Sequence, residues 1–236
     1  ILKEYHPLFK KYKNKHLGET CYIFGSGPSF NNFKKQESGH FIGVNHIIKS
    51  DYIRTNIKYY FFGHGYMIYD NNNTIYGNHR NDVNSLGNHV EKFCMVSLNN
   101  NCKVHNFDLP TIRGLHTINA LPCDMNLETI HAEIDKYPFY NHSVIFPSMQ
   151  FALYCGFEKI YLVGCDCGQY EQEGKNGTSK YFFKNDGGGK LNQYTIDRWK
   201  KIFKMKNNHY PNAKIININP VGLKGLMDGD IFTTHS

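Results

Sequence analysis

The stretch Thr20-Cys-Tyr-Ile-Phe24, followed at once by Gly25-Ser-Gly-Pro-Ser29, decides the fold prediction for this chain of 236 residues. The first run is apolar and predicts a short buried strand. The glycine-rich run predicts a tight loop, and residues 30–33 predict the start of a helix. Glycines let the backbone approach a ligand, and a helix N-terminus offers free N–H groups to phosphate. We therefore predict that nucleotide phosphate is bound by Gly25, Ser26, Gly27, Pro28 and Ser29.

This loop matches neither of the two common phosphate-binding motifs. No Gly-Lys-Ser/Thr follows it, as a Walker A loop requires, and the GxGxxG spacing of the dinucleotide fingerprint is missing. A plain turn between a strand and a helix is the alternative interpretation. The motif favours a nucleotide without specifying which one.

A second apolar run, Lys159-Ile-Tyr-Leu-Val163, is followed by Gly164-Cys-Asp166. In open α/β sheets, ligands bind beyond the carboxyl ends of the strands, near the point where the strand order reverses. We therefore predict that Gly164 contacts the ligand and that Asp166 is catalytic. A carboxylate there can bind a ribose hydroxyl, hold Mg²⁺ or orient a reacting hydroxyl. Asn45 takes the same place after the run 41–44. The alternative for Asp166 is a cap on the next turn.

Apolar runs alternate with helical patterns along the rest of the chain. The strand candidates are 59–62, 92–97 and 214–218, and the helix candidates are 2–16, 148–155 and 195–206. This alternation predicts one α/β domain over residues 1–236, with a Rossmann-like parallel sheet flanked by helices. We predict three irregular segments: a loop at 70–90, an insertion or lid at 99–142, and a flexible glycine-rich loop at 168–192.

The composition narrows the classes of partner. A formal net charge of +7 favours anionic partners, but no RNP pattern, zinc-finger spacing or basic-region heptad points to specific nucleic-acid binding. No run of about 18 apolar residues predicts a membrane-spanning helix. Seven cysteines without a CxxC pair indicate a reducing, cytoplasmic setting without disulfides or structural zinc. No HExxH or HxH spacing is present, so we predict no histidine-based metal centre.

Histidines near the predicted strand ends are the candidate general bases. His64 follows the third strand, and His209 lies between the last helix and the last strand. The alternative for each is a surface or core histidine with no part in catalysis.

The two glycine-containing blocks resemble known families. The strand with Gly25-Ser-Gly-Pro-Ser29 resembles the Gly-Asn-Gly-Pro-Ser opening of the bacterial sialyltransferases of glycosyltransferase family 42. Residues 156–166 resemble their Gly-Tyr-Lys-Glu-Ile-Tyr-Leu-Ser-Gly-Ile-Asp segment. Both blocks are also similar to the MptE-like family, which includes motility-accessory-factor glycosyltransferases and a pterin diphosphokinase. The resemblance implies a GT-A-variant fold in which residues 25–29 and Asn45 contact a CMP donor.

Two further parts of the sequence correspond to regions of the sialyltransferases beside the donor. Asn219 and Pro220 stand where that family carries a Cys-Pro-Asn-Ser turn beside the donor phosphate, which implies a donor contact. The family's general-base histidine follows the strand that ends in Asp, whereas this sequence has no histidine between Gly168 and Asn208. The resemblance therefore implies a base from elsewhere, namely His64, His116 or His209.

The resemblance implies a glycosyltransferase that transfers a sugar, such as a CMP-activated acidic sugar of the sialic acid type, to a glycan or lipid-linked acceptor. The resemblance implies that no metal is required. We predict that three side chains of the 168–192 loop approach the ligand when the loop closes: Tyr181, Phe182 and Lys190. We also expect a cytoplasmic protein, and the sequence leaves open both peripheral membrane contact and a homo-oligomer.

Two alternative functions stay open. The first is an Mg²⁺-dependent diphosphokinase of the MptE-like type, in which Asp166 binds the metal together with Asp228 or Asp230, because phosphoryl transfer needs a cation to neutralise charge. The second is a nucleotide-binding module that keeps the fold without catalysing a reaction.

Overall fold

Two sheets are present in the computed structural model, which describes residues 7–35, 38–63, 79–97, 115–120, 130–140, 143–166, 170–171, 178–179 and 193–233. Their strands are β1 (Thr20–Phe24), β2 (His40–Val44), β3 (Ile57–Gly63), β4 (Glu91–Ser97), β5 (Leu115–Ala120), β6 (Lys159–Val163), β7 (Tyr170–Glu171), β8 (Thr178–Ser179), β9 (Lys214–Ile218) and β10 (Gly229–Ile231). β7 and β8 pair with each other in antiparallel fashion, and the other eight strands form one parallel sheet.

Helices flank this sheet. The described α-helices are α1 (Asp51–Asn56), α2 (His79–Ser85), α3 (Ile145–Tyr154) and α4 (Gln193–His209), and short 3₁₀ helices cover Pro7–Tyr12, Pro28–Asn32 and Asn45–Lys49. Ser50 caps α1, because its hydroxyl accepts a hydrogen bond from the Ile53 N–H. In the ranges that the structure describes, no helix has both the length and the apolar character needed to cross a bilayer.

The strand order places one reversal point in the sheet. The order is β10-β9-β6-β1-β2-β3-β4-β5, so the chain builds outward from β1 to β5 and then returns to the other side of β1. β1 and β6 are parallel neighbours, with Phe24 paired to Val163 at their ends. The residues that follow these two strands therefore meet at the topological switch point, where ligands of open α/β sheets bind.

Both faces of the sheet are buried. Side chains of successive strand residues point to opposite faces, and in β1 Ile23 packs into one hydrophobic cluster while Phe24 packs into the other. The first cluster includes the side chains of α3, which is buried along its whole length. The second includes Ile53 of α1. Parallel sheets occur almost only where helices cover both faces, as they do here. The predicted α/β fold class is therefore confirmed.

Several element predictions need correction. No α-helix covers the described part of 2–16: a 3₁₀ helix ends at Tyr12, and Asn14 adopts a φ of 55°. The N–H groups of Asn14 and His16 instead donate to Tyr154 and Cys155. These hydrogen bonds connect residues 14–16 to the end of α3, and they take the place of the hydrogen bonds that an α-helix would make within itself.

The irregular segments also contain regular structure. Helix α2 lies inside the predicted 70–90 loop, and β5 lies inside the predicted 99–142 insertion, where it is the edge strand of the main sheet beside β4. β10 was not predicted, and it forms the other edge beside β9. The predicted helix at residues 30–33 is a single 3₁₀ helix that begins at Pro28.

Candidate functional site

The centre of the candidate site is a contact between Asp166 and Ser29. The Ser29 backbone N–H donates to Asp166 Oδ2 at 2.9 Å, and the Ser29 hydroxyl donates to Asp166 Oδ1. Both side chains are buried. The carboxylate therefore joins the segment after β6 to the loop after β1, across the switch point of the sheet.

Glycines allow the two segments to approach this closely. A Cβ atom on Gly27 would lie 2.4 Å from Asp166 Oδ2 and 2.7 Å from the Gly164 carbonyl oxygen. One on Gly25 would lie 2.4 Å from that same oxygen. The Gly27 N–H donates to the Gly164 carbonyl at 2.8 Å, and Gly164 itself has a φ of 66°. Backbone packs directly on backbone here, which explains why glycine occupies all three positions.

Burial and hydrogen bonding act in opposite directions on the Asp166 carboxyl. Burial raises its pKa above the ordinary value, and the hydrogen bonds from Ser29 partly oppose this shift because they stabilise the charged form. Since both carboxylate oxygens already accept from Ser29, the structure makes Asp166 a residue that positions the 25–29 loop. The catalytic role that the sequence suggests for it stays a prediction.

The accessible part of the loop is Ser26. The Gly25 and Gly27 N–H groups donate to carbonyls of the β6 segment, and the Ser29 N–H donates to Asp166. Pro28 has no N–H. Among the described residues, the Ser26 N–H has no acceptor, and Ser26 is partly exposed. One backbone N–H and one hydroxyl at this position are thus available to an anion.

Asn45 lies at the same edge of the sheet, directly after β2. It has a φ of 47°, and its side-chain Oδ1 accepts a hydrogen bond from the Gly63 N–H at 3.3 Å. The Tyr60 hydroxyl donates to the Asn45 carbonyl at 2.8 Å. These bonds orient Asn45, and within the described ranges its side-chain NH₂ group makes no hydrogen bond. That group can donate to a ligand.

Asn219 and Pro220 border the 25–29 loop on the β9 side. The Asn219 side chain donates to Thr233 Oγ1 at 2.8 Å and accepts from the Thr233 N–H at 2.9 Å. The Thr233 hydroxyl donates to the Asn32 carbonyl at 2.7 Å. Pro220 is buried, and the Gly222 N–H donates to the Asp166 carbonyl at 2.8 Å. Nothing in the sequence pattern pointed to the part that Thr233 and Asn32 play in this junction.

Two candidate bases lie away from the junction of Asp166 and Ser29. His209 ends α4, before β9 begins, and lines a cavity of ≈ 550 Å³ together with Gly18 and Glu158, which precede β1 and β6. His116 lies at the start of β5 and stacks on Phe93. Both are therefore at the amino edge of the sheet, opposite Asp166, and cannot act in a reaction at the carboxyl edge.

The structure does not bring the predicted Mg²⁺ ligands together either. Asp228 is near the start of β9, where it accepts from the Ile215 N–H at 2.8 Å and pairs with Lys206 at 2.9 Å. Asp230 lies within β10 in register with Asn217, and its carboxylate accepts from the Gly225 N–H. Neither carboxylate reaches Asp166 beyond the end of β6.

Four predicted site residues lie outside the described residues: His64, Tyr181, Phe182 and Lys190. The predicted 168–192 loop is described only at β7 and β8. Its closure over a ligand stays a prediction. His64 directly follows Gly63, the last residue of β3.

No protein-family model matches the chain, and no curated protein is similar to it in sequence. Over 98% of its length the chain is similar to the MAf glycosyltransferase from Magnetospirillum magneticum AMB-1, at 13% identity and a TM-score of 0.49, and it spans 39% of that protein.

Two sialyltransferases from Campylobacter jejuni are similar to 85% of the chain. One is Cst-I, at 18% identity, a TM-score of 0.47 and 75% of its own length. The other is CstII in complex with the substrate analogue cytidine-5'-monophosphate, at 15% identity, a TM-score of 0.42 and 80% of its own length.

Proposed function

We propose that this chain is a nucleotide-sugar-dependent glycosyltransferase whose donor binds at the carboxyl edge of the sheet, between β1 and β6. The observation that supports this most is the contact of Asp166 with Ser29, which fixes a glycine loop at the switch point. The net charge of +7 suits an anionic donor. The resemblance of both blocks to family 42 makes a CMP-activated acidic sugar the proposed donor, and a glycan or lipid-linked molecule the proposed acceptor.

The residues of the proposed site have different roles in binding and catalysis. The N–H and hydroxyl of Ser26 hydrogen-bond the donor phosphate, and the Asn45 side-chain NH₂ donates to the base or ribose. Asn219 borders the site on the side of β9, where its side chain is fixed by hydrogen bonds with Thr233. Of the three histidines considered as general base, His116 and His209 are at the wrong edge of the sheet, which makes His64 the proposed base.

Nucleotide titration tests the donor site directly. We expect calorimetric binding of CMP with a Kd of about 1 mM or tighter, with weaker binding of UDP, GDP and ADP. The expected preference follows from the resemblance to CMP-using enzymes, and the Ser26 and Asn45 contacts supply the hydrogen bonds. If none of the four nucleotides binds, with or without Mg²⁺, the donor-site proposal is wrong.

Removal of divalent metal ions with EDTA distinguishes sugar transfer from phosphoryl transfer, because phosphoryl transfer needs a metal ion. We expect transfer from a CMP-activated acidic sugar to survive EDTA, because Asp228 and Asp230, the two predicted partners of Asp166 in an Mg²⁺ site, are hydrogen-bonded elsewhere, to the Ile215 and Gly225 N–H groups. The measurement is the rate of CMP release with an acceptor glycan at 25 °C. Loss of turnover that Mg²⁺ restores would favour the diphosphokinase, and nucleotide binding without any transfer or donor hydrolysis would favour the inactive module.

A further inference from the structure

Three metal-ligating side chains converge at the amino edge of the sheet, opposite the proposed donor site. His16 lies in the turn before β1, Glu19 directly precedes β1, and His40 begins β2. Glu19 Oε2 is 2.7 Å from His16 Nδ1 and 2.5 Å from His40 Nε2. All three ligand atoms lie within 4.8 Å of one another. Two imidazoles and one carboxylate form a ligand set that Zn²⁺ commonly uses in proteins.

The surroundings fix His16 in the orientation that such a site needs. Its ring is 4% exposed and stacks on Phe157, with the ring centroids 4.6 Å apart and an interplanar angle of 9°. Its second nitrogen, Nε2, is 2.8 Å from the Tyr59 hydroxyl. An oxygen partner on the far nitrogen is the usual arrangement around metal-binding histidines, because it sets the ring orientation and the tautomer.

We propose that His16, Glu19 and His40 bind a divalent transition metal of the Zn²⁺ type, with water as the fourth ligand. The Glu19 side chain is 49% exposed and that of His40 is 27% exposed, so the ion has an entry path and both side chains can adjust. Tetrahedral coordination requires ligand atoms about 3.4 Å apart. Rotations that separate the present contacts by about 1 Å are sufficient.

Such an ion would join the turn before β1 to the first residue of β2. Because it lies at the opposite edge of the sheet, the ion takes no part in chemistry at the proposed donor site, and its expected effect is on the stability of the fold. The inference does not rest on the proposed transferase function. A chelator should lower the melting temperature of the metal-loaded protein while turnover at 25 °C is retained.

Lys58 opposes metal binding and gives the proposal a distinctive test. Its Nζ is 3.4 Å from His40 Nδ1, and an ammonium group can only donate, so Nδ1 accepts and the hydrogen of His40 is on Nε2. Metal binding at Nε2 requires the neutral imidazole to carry its hydrogen on Nδ1 instead, where that N–H would face the positively charged Lys58 ammonium group. Removing this charge should strengthen binding.

The test is a titration of the whole chain with Co²⁺ as a spectroscopic probe, followed by displacement with Zn²⁺. We expect one equivalent of Co²⁺ to produce the visible absorption of tetrahedral cobalt, and Zn²⁺ to abolish that absorption. His40→Gln and Glu19→Gln should each weaken binding by at least about 10-fold, since each removes one ligand. Lys58→Met should strengthen it about 10-fold, through loss of a neighbouring positive charge.

His209→Gln is the matched control, because His209 is an exposed histidine at the same edge of the sheet and outside the cluster. Its cobalt spectrum and affinity should equal those of the unmodified chain. Added Zn²⁺ should also raise the melting temperature of the unmodified chain and leave that of His40→Gln unchanged. Absence of the tetrahedral spectrum, or a spectrum that both ligand variants retain, would overturn the proposal.

Discussion

Replacing Asp166 by asparagine is expected to lower kcat/KM for the donor by about 100-fold. The oxygen of an asparagine side chain can still accept from the Ser29 N–H, and its NH₂ group can donate to the Ser29 hydroxyl, so both hydrogen bonds remain but lose the carboxylate charge that strengthens them. Hydrogen bonds to charged groups contribute about 1.5–3 kcal/mol each. A loss in this range corresponds to about 10- to 100-fold in affinity. The measurement is nucleotide Kd together with kcat and KM.

The stability of the Asp166→Asn variant shows whether Asp166 positions the 25–29 loop or stabilises the whole fold. Because burial raises the pKa of Asp166 above its unfolded value, ionisation of this group at neutral pH favours the unfolded chain. Any stability from the group is present below its unfolded pKa and is lost as pH rises through the higher folded pKa. A neutral asparagine does not carry this cost, so the melting temperature should stay within a few degrees.

Two further variants complete the Asp166 experiment. Ser29→Ala should give a smaller loss, because the backbone N–H of residue 29 still donates to Asp166. Asp51→Asn makes the same chemical change at a side chain that is 85% exposed, and it should leave kinetics and stability unchanged. A variant Asp166→Asn that unfolds readily yet keeps its specific activity would show that the contact supports the fold only.

The strands at the centre of the sheet were predictable because each carries a strong local signal. β1 and β6 are apolar runs that are each followed directly by a glycine, and a chain in which strands alternate with helices predicts a parallel sheet. The edge strands were harder to predict. β5 mixes polar with apolar residues, as a strand with only one neighbour can. β10 has three residues, too few for any periodicity.

The candidate site was predictable in its location but not in its contacts. The position of Asp166 after a buried strand indicated the carboxyl edge, yet its partner Ser29 is 137 residues away in sequence. The proposed metal ligands show the same limit. His16, Glu19 and His40 match no short ligand spacing, and only the pairing of β1 with β2 brings His40 to the other two. His209 precedes β9, so in a parallel sheet it lies at the amino edge, and its closeness to a strand in sequence did not place it beside Asp166.

Replacing Gly27 by alanine is expected to weaken nucleotide binding by at least about 10-fold and also to destabilise the fold. Gly27 has φ −69° and ψ 158°, which alanine adopts without strain, so the effect must come from the added methyl group. That group would lie 2.4 Å from Asp166 Oδ2 and 2.7 Å from the Gly164 carbonyl oxygen. The Gly27 N–H holds the same carbonyl at 2.8 Å, so the oxygen cannot withdraw without breaking that bond.

The loop must therefore move away from β6, which separates Ser29 from Asp166 and displaces the Ser26 N–H. We expect the free energy of unfolding to fall by about 1–3 kcal/mol, as for other overpacked sites, and the CMP affinity to fall by at least about 10-fold. Denaturant titration and calorimetry measure the two quantities. Gly229→Ala is the control, because a Cβ atom at that position meets nothing within 4 Å. If Gly27→Ala binds CMP as tightly as the control does, the close contact between β1 and β6 is not the donor site, because a loop that tolerates this displacement is not positioning the nucleotide.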